Sequence, residues 1–565
     1  MNDMRVYLKR ALILTSYSRE DARMAPKKYG VVYTPDRLAD FVAKLLSEEM
    51  KKDSIDGGMI LDPACGECAL LKATEKVCGS RYKYYGIDVE KEVVSRNAMG
   101  RTLVCNDSIL PKNVKKNTDK YWIEKLGRVQ AIIANPPWSS EKIYSREQLS
   151  DAGFNLIKGQ YDSYVLFVEL AYKIIADGGY FAFILPDSLF DAQNISLREF
   201  LVRNTEIKII ARLGEKIFSE VNRAATVIIC KKVVPNDICK TKCFRLTTDD
   251  RKAFLNGENT LYHYYEEGFH KVTQSRFCRN DNYLFDIDIR EEEEILISKI
   301  REQGVDWKDL FLFGRGVEIS KAGNIVRCPY CGMAQGYKKK QLKEGKKNCS
   351  FCEKSIPVTS DTVQSVVSKK RVQNSVALCV GENLKRYKIE KGGYILSNVP
   401  GINYKDKTLY EPPKILVRKT GLGIYAAVDY SGGITSQTVY ILKKKKENKD
   451  KIPLEYYLAM INSRVVYYYY LKTYGENEWK SHPYLTKEII FSLPICKYSG
   501  SKLDGEIVEL SKSLMNKYDY KLDIQLECKI FKKYKLTEED VLLIINEMSR
   551  LPDLSAINDM KFEVG

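Results

Sequence analysis

The chain has 565 residues, 44% of them hydrophobic, and carries a net charge of +17 at neutral pH. That length calls for two or more domains with ordinary apolar cores, and the charge favours a polyanionic partner. No apolar run is long enough to cross a bilayer, and Met1–Arg5 begins no export signal, so the 15 cysteines read as reduced thiols and metal ligands in a cytoplasmic, nucleoid-associated protein and not as a disulfide framework.

Residues 1–25 form a short basic, partly helical lead-in. In Lys28-Tyr29-Gly30-Val31-Val32-Tyr33-Thr34-Pro35 the last two residues read as a helix N-cap and the first helical position. The helix is expected over 37–49, with Leu38, Phe41, Val42, Leu45 and Leu46 on one face. Its N-terminus suits an anion such as a carboxylate. Met59–Asp62 reads as a strand, followed by a turn of small residues and a helix from Ala69. Asp62 ends that strand, where it can accept hydrogen bonds from a cationic amine. Gly66 lets a ligand approach the backbone closely. Tyr84–Asp88 is a second strand ending in an acid, at a spacing suited to ribose hydroxyls. A third strand, 101–105, ends at Asn106-Asp107, and Asp107 is placed to accept from an adenine amine. The apolar run Val129–Ala134 is a fourth strand, stopped by Asn135-Pro136-Pro137-Trp138. Proline fixes φ and removes the N–H, so the chain leaves the sheet edge in a rigid loop. That loop offers an amide, a carbonyl and an aromatic face, a set able to grip a planar group with an exocyclic amine. Four strands with polar carboxyl ends, separated by helices, describe a doubly wound parallel α/β sheet that binds ligands at that edge.

Asp62-Pro63-Ala64-Cys65-Gly66 followed by Asn135-Pro136-Pro137-Trp138 resembles the cofactor site and catalytic motif of amino-group DNA methyltransferases. Lys28–Pro35 resembles the motif that precedes them in the gamma class of N6-adenine enzymes. Gln160–Phe167, Asp177–Pro186, Leu213–Phe218 and Ala225–Ile229 resemble later motifs of that class, so the likeness spans about residues 25–235. It implies a Rossmann-like, seven-stranded, mostly parallel sheet and S-adenosyl-L-methionine as cofactor. Tyr33, Thr34, Asp62, Ala64, Gly66, Asp88 and Asp107 would hold that cofactor. It also implies that the Asn135 side-chain oxygen and the Pro136 carbonyl accept the two hydrogens of an adenine amine, in the rigid loop that Pro137 completes. Trp138 would stack on one face of the flipped base. Phe218 is a candidate for the other face or, equally, a core aromatic of a hairpin. One departure is Cys68, which stands where the family has glycine; a side chain there could crowd the methionine end of the cofactor, but every other element is present and catalysis remains the expectation. Cys65 and Cys68 read as free thiols.

In the second half, Cys328-Pro329-Tyr330-Cys331 and Cys349-Ser350-Phe351-Cys352 form two knuckles with the spacing of a structural zinc ribbon. Lys338, Lys339, Lys340, Lys343, Lys346 and Lys347 lie between them, as phosphate contacts or as a solvated loop. Leu312–Glu318, Glu411–Arg418, Ala426–Asp429, Tyr456–Ser463 and Leu493–Ile495 resemble a TaqI-type target-recognition domain, α+β in class. Arg315, Lys321, Arg418 and Lys419 are its candidate DNA contacts, and the run Lys443–Lys446 reads as an exposed loop. The expected division is a lead-in (1–25), a catalytic domain (26–240), a connecting segment (241–305), a recognition domain (306–500) with its ribbon at 325–355, and a helical segment (501–565). The resulting expectation is a sequence-specific adenine-N6 methyltransferase on double-stranded DNA, working beside a separate restriction endonuclease or other defence protein. The alternatives are methylation of cytosine N4, RNA or a protein glutamine, or a DNA-binding subunit whose catalysis is impaired through Cys68.

Overall fold

The computed structural model describes residues 33–96, 100–114, 116–138, 143–159, 161–218, 223–445, 451–474 and 485–562. The lead-in, Lys28–Val32, Gln160 and Lys446 lie outside these residues. The chain divides between Ile287 and Asp288 into two units.

The first unit is built on one sheet. Helix α1 (Asp36–Lys52) precedes β1 (Gly58–Asp62), α2 (Ala69–Cys78) and β2 (Tyr82–Asp88). Next come α3 (Lys91–Arg96), β3 (Thr102–Cys105), α4 (Thr118–Leu126) and β4 (Val129–Ala134). Then follow α5 (Arg146–Asp151), α6 (Tyr164–Ile174), β5 (Ile175–Pro186), α7 (Ile195–Asn204), β6 (Glu206–Gly214) and β7 (Ala225–Lys231). The strand order is β3-β2-β1-β4-β5-β7-β6, continued by β8 (Lys240–Arg245) and β9 (His270–Thr273). Strands β1 to β5 pair in parallel, while β7 runs antiparallel to both β5 and β6. The order reverses between β1 and β4, the switch point where an open α/β sheet opens a crevice at its carboxyl edge.

Both faces of the sheet are covered, which is why its central strands carry consecutive apolar residues, such as Ala131–Ala134 and Tyr180–Leu185, and do not alternate. Ile60, Ala131, Ile133, Ala182 and Ile184 pack with Leu38, Phe41, Leu45 and Leu71 from α1 and α2. The intervening residues Leu61, Ile132, Ala134, Phe181 and Phe183 pack on the opposite face with Trp122, Tyr164, Leu170 and Leu201.

Two expectations change here. The sheet has nine strands, not seven, because the stretch expected to connect the domains contributes β8, parallel to β6, and β9, antiparallel to β8. Also, α1 begins at Asp36 with Pro35 in the capping position and no side-chain cap, so Thr34 does not cap it.

The second unit holds a four-stranded sheet in the order Phe311–Arg315, Val439–Lys444, Lys414–Arg418, Ala426–Asp429. Helices Leu454–Ile461, Arg464–Tyr474, Lys502–Asn516, Tyr520–Lys533 and Glu538–Ser549 belong to the same unit, and its largest apolar core includes Trp307, Ile415, Tyr456, Tyr467, Ile530 and Ile544. The tyrosine run Tyr467–Tyr470 is buried in this core. So is an ionic cluster. Arg386 donates to both oxygens of Asp523 at 2.7 and 3.0 Å, and Arg464 meets Asp523 at 3.1 Å and Glu527 at 3.2 Å. All four side chains are fully buried. Arg464 also donates to the carbonyls of Asp559, Met560 and Lys561. The Lys443–Lys446 run is no exposed loop where it is described. Lys443 and Lys444 sit on a strand, and the buried Lys443 ammonium donates to Glu411 and the Thr408 carbonyl.

Candidate active site

A cavity of about 300 Å³ opens along the carboxyl ends of β1, β2, β3 and β4, lined among others by Thr34, Asp62, Gly66, Asp88, Asp107 and Asn135. This volume is at the lower end of those that enclose small organic ligands. The strand ends put the carboxylates there, and backbone N–H groups fix each one. Asp62 Oδ1 accepts from Ala64 N at 3.0 Å. Asp88 Oδ2 accepts from Gly66 N at 2.8 Å, and its Oδ1 from Glu90 N at 2.9 Å. Asp107 Oδ1 accepts from Ile109 N and Leu110 N, while Oδ2 accepts from Tyr144 OH at 2.7 Å. Asp62 is 1% exposed, and burial holds its carboxyl well above the usual carboxylate range. A cationic group beside it would favour its charged form. Gly66 has φ +47°, a region glycine enters without strain, so its turn can bring bare backbone to the cavity wall. Tyr33 and Ala64 also line the cavity. The donor set fits a ligand carrying an amine, vicinal hydroxyls and an aromatic amino group, as S-adenosyl-L-methionine does.

Cys68, the departure from the family's glycine, lies in the turn before α2. It sits at the start of α2 with φ +62°, the left-handed conformation that makes glycine the easy residue there. Its side chain is fully buried in the apolar layer beneath the turn and is not among the cavity-lining residues. The cavity wall is therefore not crowded by it.

The loop that follows β4 is held from several sides. Asn135 Nδ2 donates to Thr34 Oγ at 3.1 Å, which turns the other end of the amide, its oxygen, away from Thr34. Ser163 Oγ donates to the Pro137 carbonyl at 2.5 Å, and Arg223 to the Trp138 carbonyl at 2.6 Å. Trp138 Nε1 donates to the Ile184 carbonyl at 3.3 Å. Trp138 and Phe218 are brought together, but edge to face, with centroids 5.2 Å apart and planes at 87°. Both rings are buried, so they cover one another and do not stand as two parallel faces. Three supporting residues were not foreseen from sequence: Ser163, Tyr144 and Arg223. Only Ser163 carried a signal, lying in the Asp162-Ser163-Tyr164 motif.

Far along the chain, the four cysteine sulfurs of the two knuckles lie within 4.8 Å of one another. Cys328 Sγ is 3.6 Å from Cys352 Sγ, and Cys331 Sγ is 3.7 Å from Cys349 Sγ. A tetrahedron with Zn–S bonds of about 2.3 Å has sulfur–sulfur edges of about 3.8 Å, so the cluster fits zinc. The two knuckles repeat one construction. Gly332 N donates to the Cys328 carbonyl and Glu353 N to the Cys349 carbonyl, each from a residue with positive φ. Burial opposes the Cys349 thiolate, but N–H groups of Cys352 and Phe351 and the Gln335 amide outweigh it and bring the thiol down to about 6. Of the expected DNA contacts, Arg315 pairs with Glu318, Lys321 with Glu382, and Arg418 donates to the Thr420 carbonyl. Lys419 lies 5.7 Å from the Tyr440 ring.

A family profile described as N-6 DNA Methylase matches residues 13–289, and one described as TaqI-like C-terminal specificity domain matches residues 376–495. The four-cysteine cluster lies between the two matches. The Type II methyltransferase M.BanIII of Aneurinibacillus aneurinilyticus is 30% identical over 221 residues, 35% of this chain and 38% of that protein. The Type II methyltransferase M.VspI of Vibrio sp. (strain 343) is 27% identical over 248 residues, 42% of this chain and 57% of that one. The chain thus spans less than two thirds of these relatives' length. Among solved structures, the type IIG restriction endonuclease BpuSI matches with a TM-score of 0.39 and 14% identity, over 90% of this chain and 66% of that one. No helix among the described residues is long and apolar enough to cross a membrane.

Proposed function

The chain belongs to the N6-adenine DNA methyltransferases of the TaqI type, and from that premise we propose that it moves a methyl group from S-adenosyl-L-methionine to N6 of an adenine flipped out of double-stranded DNA. It would serve as the modification enzyme of a restriction-modification or related defence system, and the second unit would select the site. The observation that carries this reading is the Asn135 amide, fixed by Thr34 in the wall of the cavity that Asp62, Asp88 and Asp107 line.

When bound, the cofactor supplies a sulfonium methyl already activated for transfer. Residues that line the cavity would hold it. Asp62 would accept from the amino acid's ammonium, and Thr34 and Tyr33, before α1, would serve its carboxylate. Asp88 would take the ribose hydroxyls and Asp107 the adenine amine. The turn at Ala64 and Gly66 would leave room for it. An exocyclic adenine amine is a poor nucleophile, since its lone pair is delocalised into the ring. The Asn135 oxygen and the Pro136 carbonyl accept its two hydrogens, shift the nitrogen toward sp³ and stabilise the positive charge that develops there. Pro137 stiffens the loop, and its carbonyl, like that of Trp138, is tied down, so the acceptors are positioned before the base arrives. A base inside a duplex cannot reach such a loop, so the adenine must leave the stack. Trp138 then offers a face to it, which requires Trp138 and Phe218 to move apart. Four thiolates from Cys328, Cys331, Cys349 and Cys352 would hold a structural zinc ion. Cys68, buried and outside the cavity-lining residues, supports an active enzyme over an impaired DNA-binding subunit.

The test is transfer of tritiated methyl from S-adenosyl-L-methionine to phage-length DNA, followed by digestion to nucleosides. N6-methyl-2′-deoxyadenosine is the expected product, lost in Asn135→Ala. N4-methylcytosine, or transfer to RNA alone, would overturn the reading.

A further inference from the structure

The ribbon's outer surface has no part in the chemistry above, yet its composition is sharply biased. From Arg327 to Lys354 there are eight cations and two carboxylates, Glu344 and Glu353. Four thiolates and one divalent ion add only −2, so the segment remains strongly basic. Lys338, Lys339, Lys340, Lys343 and Lys346 are all exposed. Among the described residues only Lys340 of these five has a carboxylate neighbour, Glu344 at 3.6 Å.

Between these charges stand two aromatic rings. Tyr330 and Phe351 hold the same place in their knuckles, just before the second cysteine, and are 61% and 53% exposed. Neither belongs to the ribbon's small core of Val326, Cys328, Cys349, Ile356 and Val358. Their turns are rigid, closed by backbone hydrogen bonds and tied by Phe351 N to Cys349 Sγ at 3.4 Å. The Lys354 ammonium, just past the second knuckle, lies 4.7 Å from the Tyr330 ring centre, so a cation of one knuckle flanks the aromatic of the other. Exposed rings set among exposed lysines match a polyanion that also presents flat apolar faces.

We infer that the ribbon is a DNA-binding surface in its own right, whose lysines neutralise backbone phosphates while Tyr330 and Phe351 contact nucleobases. This rests on the DNA-methyltransferase reading and adds a contact surface outside the matched specificity domain. Phosphate contacts carry affinity and salt dependence, whereas ring contacts carry affinity without counterion release. The two sets therefore leave separable signatures.

The experiment uses the full-length, zinc-loaded protein and a labelled mixed-sequence duplex interrupted by a short unpaired stretch, with anisotropy titrations at several salt concentrations. The quadruple variant Lys338→Gln, Lys339→Gln, Lys343→Gln, Lys346→Gln is expected to flatten the slope of log K against log salt by about 0.9 per lost phosphate contact, about 3–4 in all. Tyr330→Ala and Phe351→Ala are each expected to weaken binding about tenfold at fixed salt with the slope unchanged, and Tyr330→Trp to restore it. Zinc content and urea midpoint, measured alongside, identify any variant that has lost its fold, and the lysine set lies away from the ligands. Variants that retain zinc and match the parent in affinity and slope overturn the proposal, as would a loss confined to binding an acidic protein. A parent that neither binds nor methylates duplex DNA defeats the methyltransferase reading itself. A parent that does both, beside variants equal to it, defeats the ribbon proposal alone.

Discussion

Thr34→Val tests the catalytic loop at its least obvious support. Valine keeps the shape of threonine and removes only the hydroxyl that receives Asn135 Nδ2 at 3.1 Å. A neutral hydrogen bond of this kind contributes about 0.5–1.5 kcal/mol net. If its whole effect is to hold the amide in the orientation the transition state needs, kcat falls between about twofold and about twelvefold, at roughly 1.4 kcal/mol per tenfold. Asn135→Ala removes the acceptor itself and should cost about 10²- to 10³-fold, the range for one preorganised group lost from a transition state. Thr34→Ser keeps the hydroxyl and should stay within twofold of the parent. Methyl-transfer rates at saturating DNA and cofactor give kcat, and calorimetric titration of S-adenosyl-L-methionine separately shows whether Thr34 also supports the cofactor. A Thr34→Val enzyme with parental kcat would refute the positioning role. One as slow as Asn135→Ala would show that Thr34 acts on the reacting atoms directly.

Asp62→Asn should bind S-adenosyl-L-methionine too weakly to measure by calorimetry and yet unfold at higher urea near neutral pH. Burial raises the folded carboxyl above its unfolded value, so folding takes up a proton, and Asp62's stability contribution is full below about pH 4 and declines as pH rises. The gain from Asn should vanish toward pH 4, and a variant less stable than the parent at neutral pH would contradict this. Cys68→Gly should change cofactor affinity less than twofold, because its side chain lies outside the cavity wall; a tenfold change by calorimetry would place it in the site. Asp523→Asn leaves two buried guanidiniums with one carboxylate and should lower stability by about 3–5 kcal/mol, read from urea unfolding of the intact chain. A loss under 1 kcal/mol would mean that the cluster is hydrated.

What the sequence revealed was what local chemistry decides. Runs such as Val129–Ala134, short, rich in β-branched residues and stopped by two prolines, read as buried strands, and a polar residue at each strand end marks the binding edge. Partners distant in sequence were illegible. A Thr-Pro pair has the pattern of a cap, but the group that claims Thr34 lies 101 residues away. Arg223 reaches the Trp138 carbonyl across 85 residues, with nothing local to announce it. Strand β8, Lys240-Thr241-Lys242-Cys243-Phe244-Arg245, alternates polar with small or apolar residues near the sheet's margin, and so it read as a connection. Lys443 read as solvated because its carboxylate, Glu411, sits 32 positions back.

The buried ionic cluster has a consequence for the order in which the protein is made. A ribosome delivers Arg386 and Arg464 well before Asp523 and Glu527, and the carbonyls of residues 559–561 later still. Until those arrive, the core around Tyr467 and Tyr468 cannot close without enclosing unmatched positive charge. Vectorial synthesis therefore makes the second unit a late finisher, while the first, which draws on none of these groups, is free to complete its sheet as it emerges. A nascent chain would hold a finished cavity at the sheet's carboxyl edge before the unit that carries the specificity match has set.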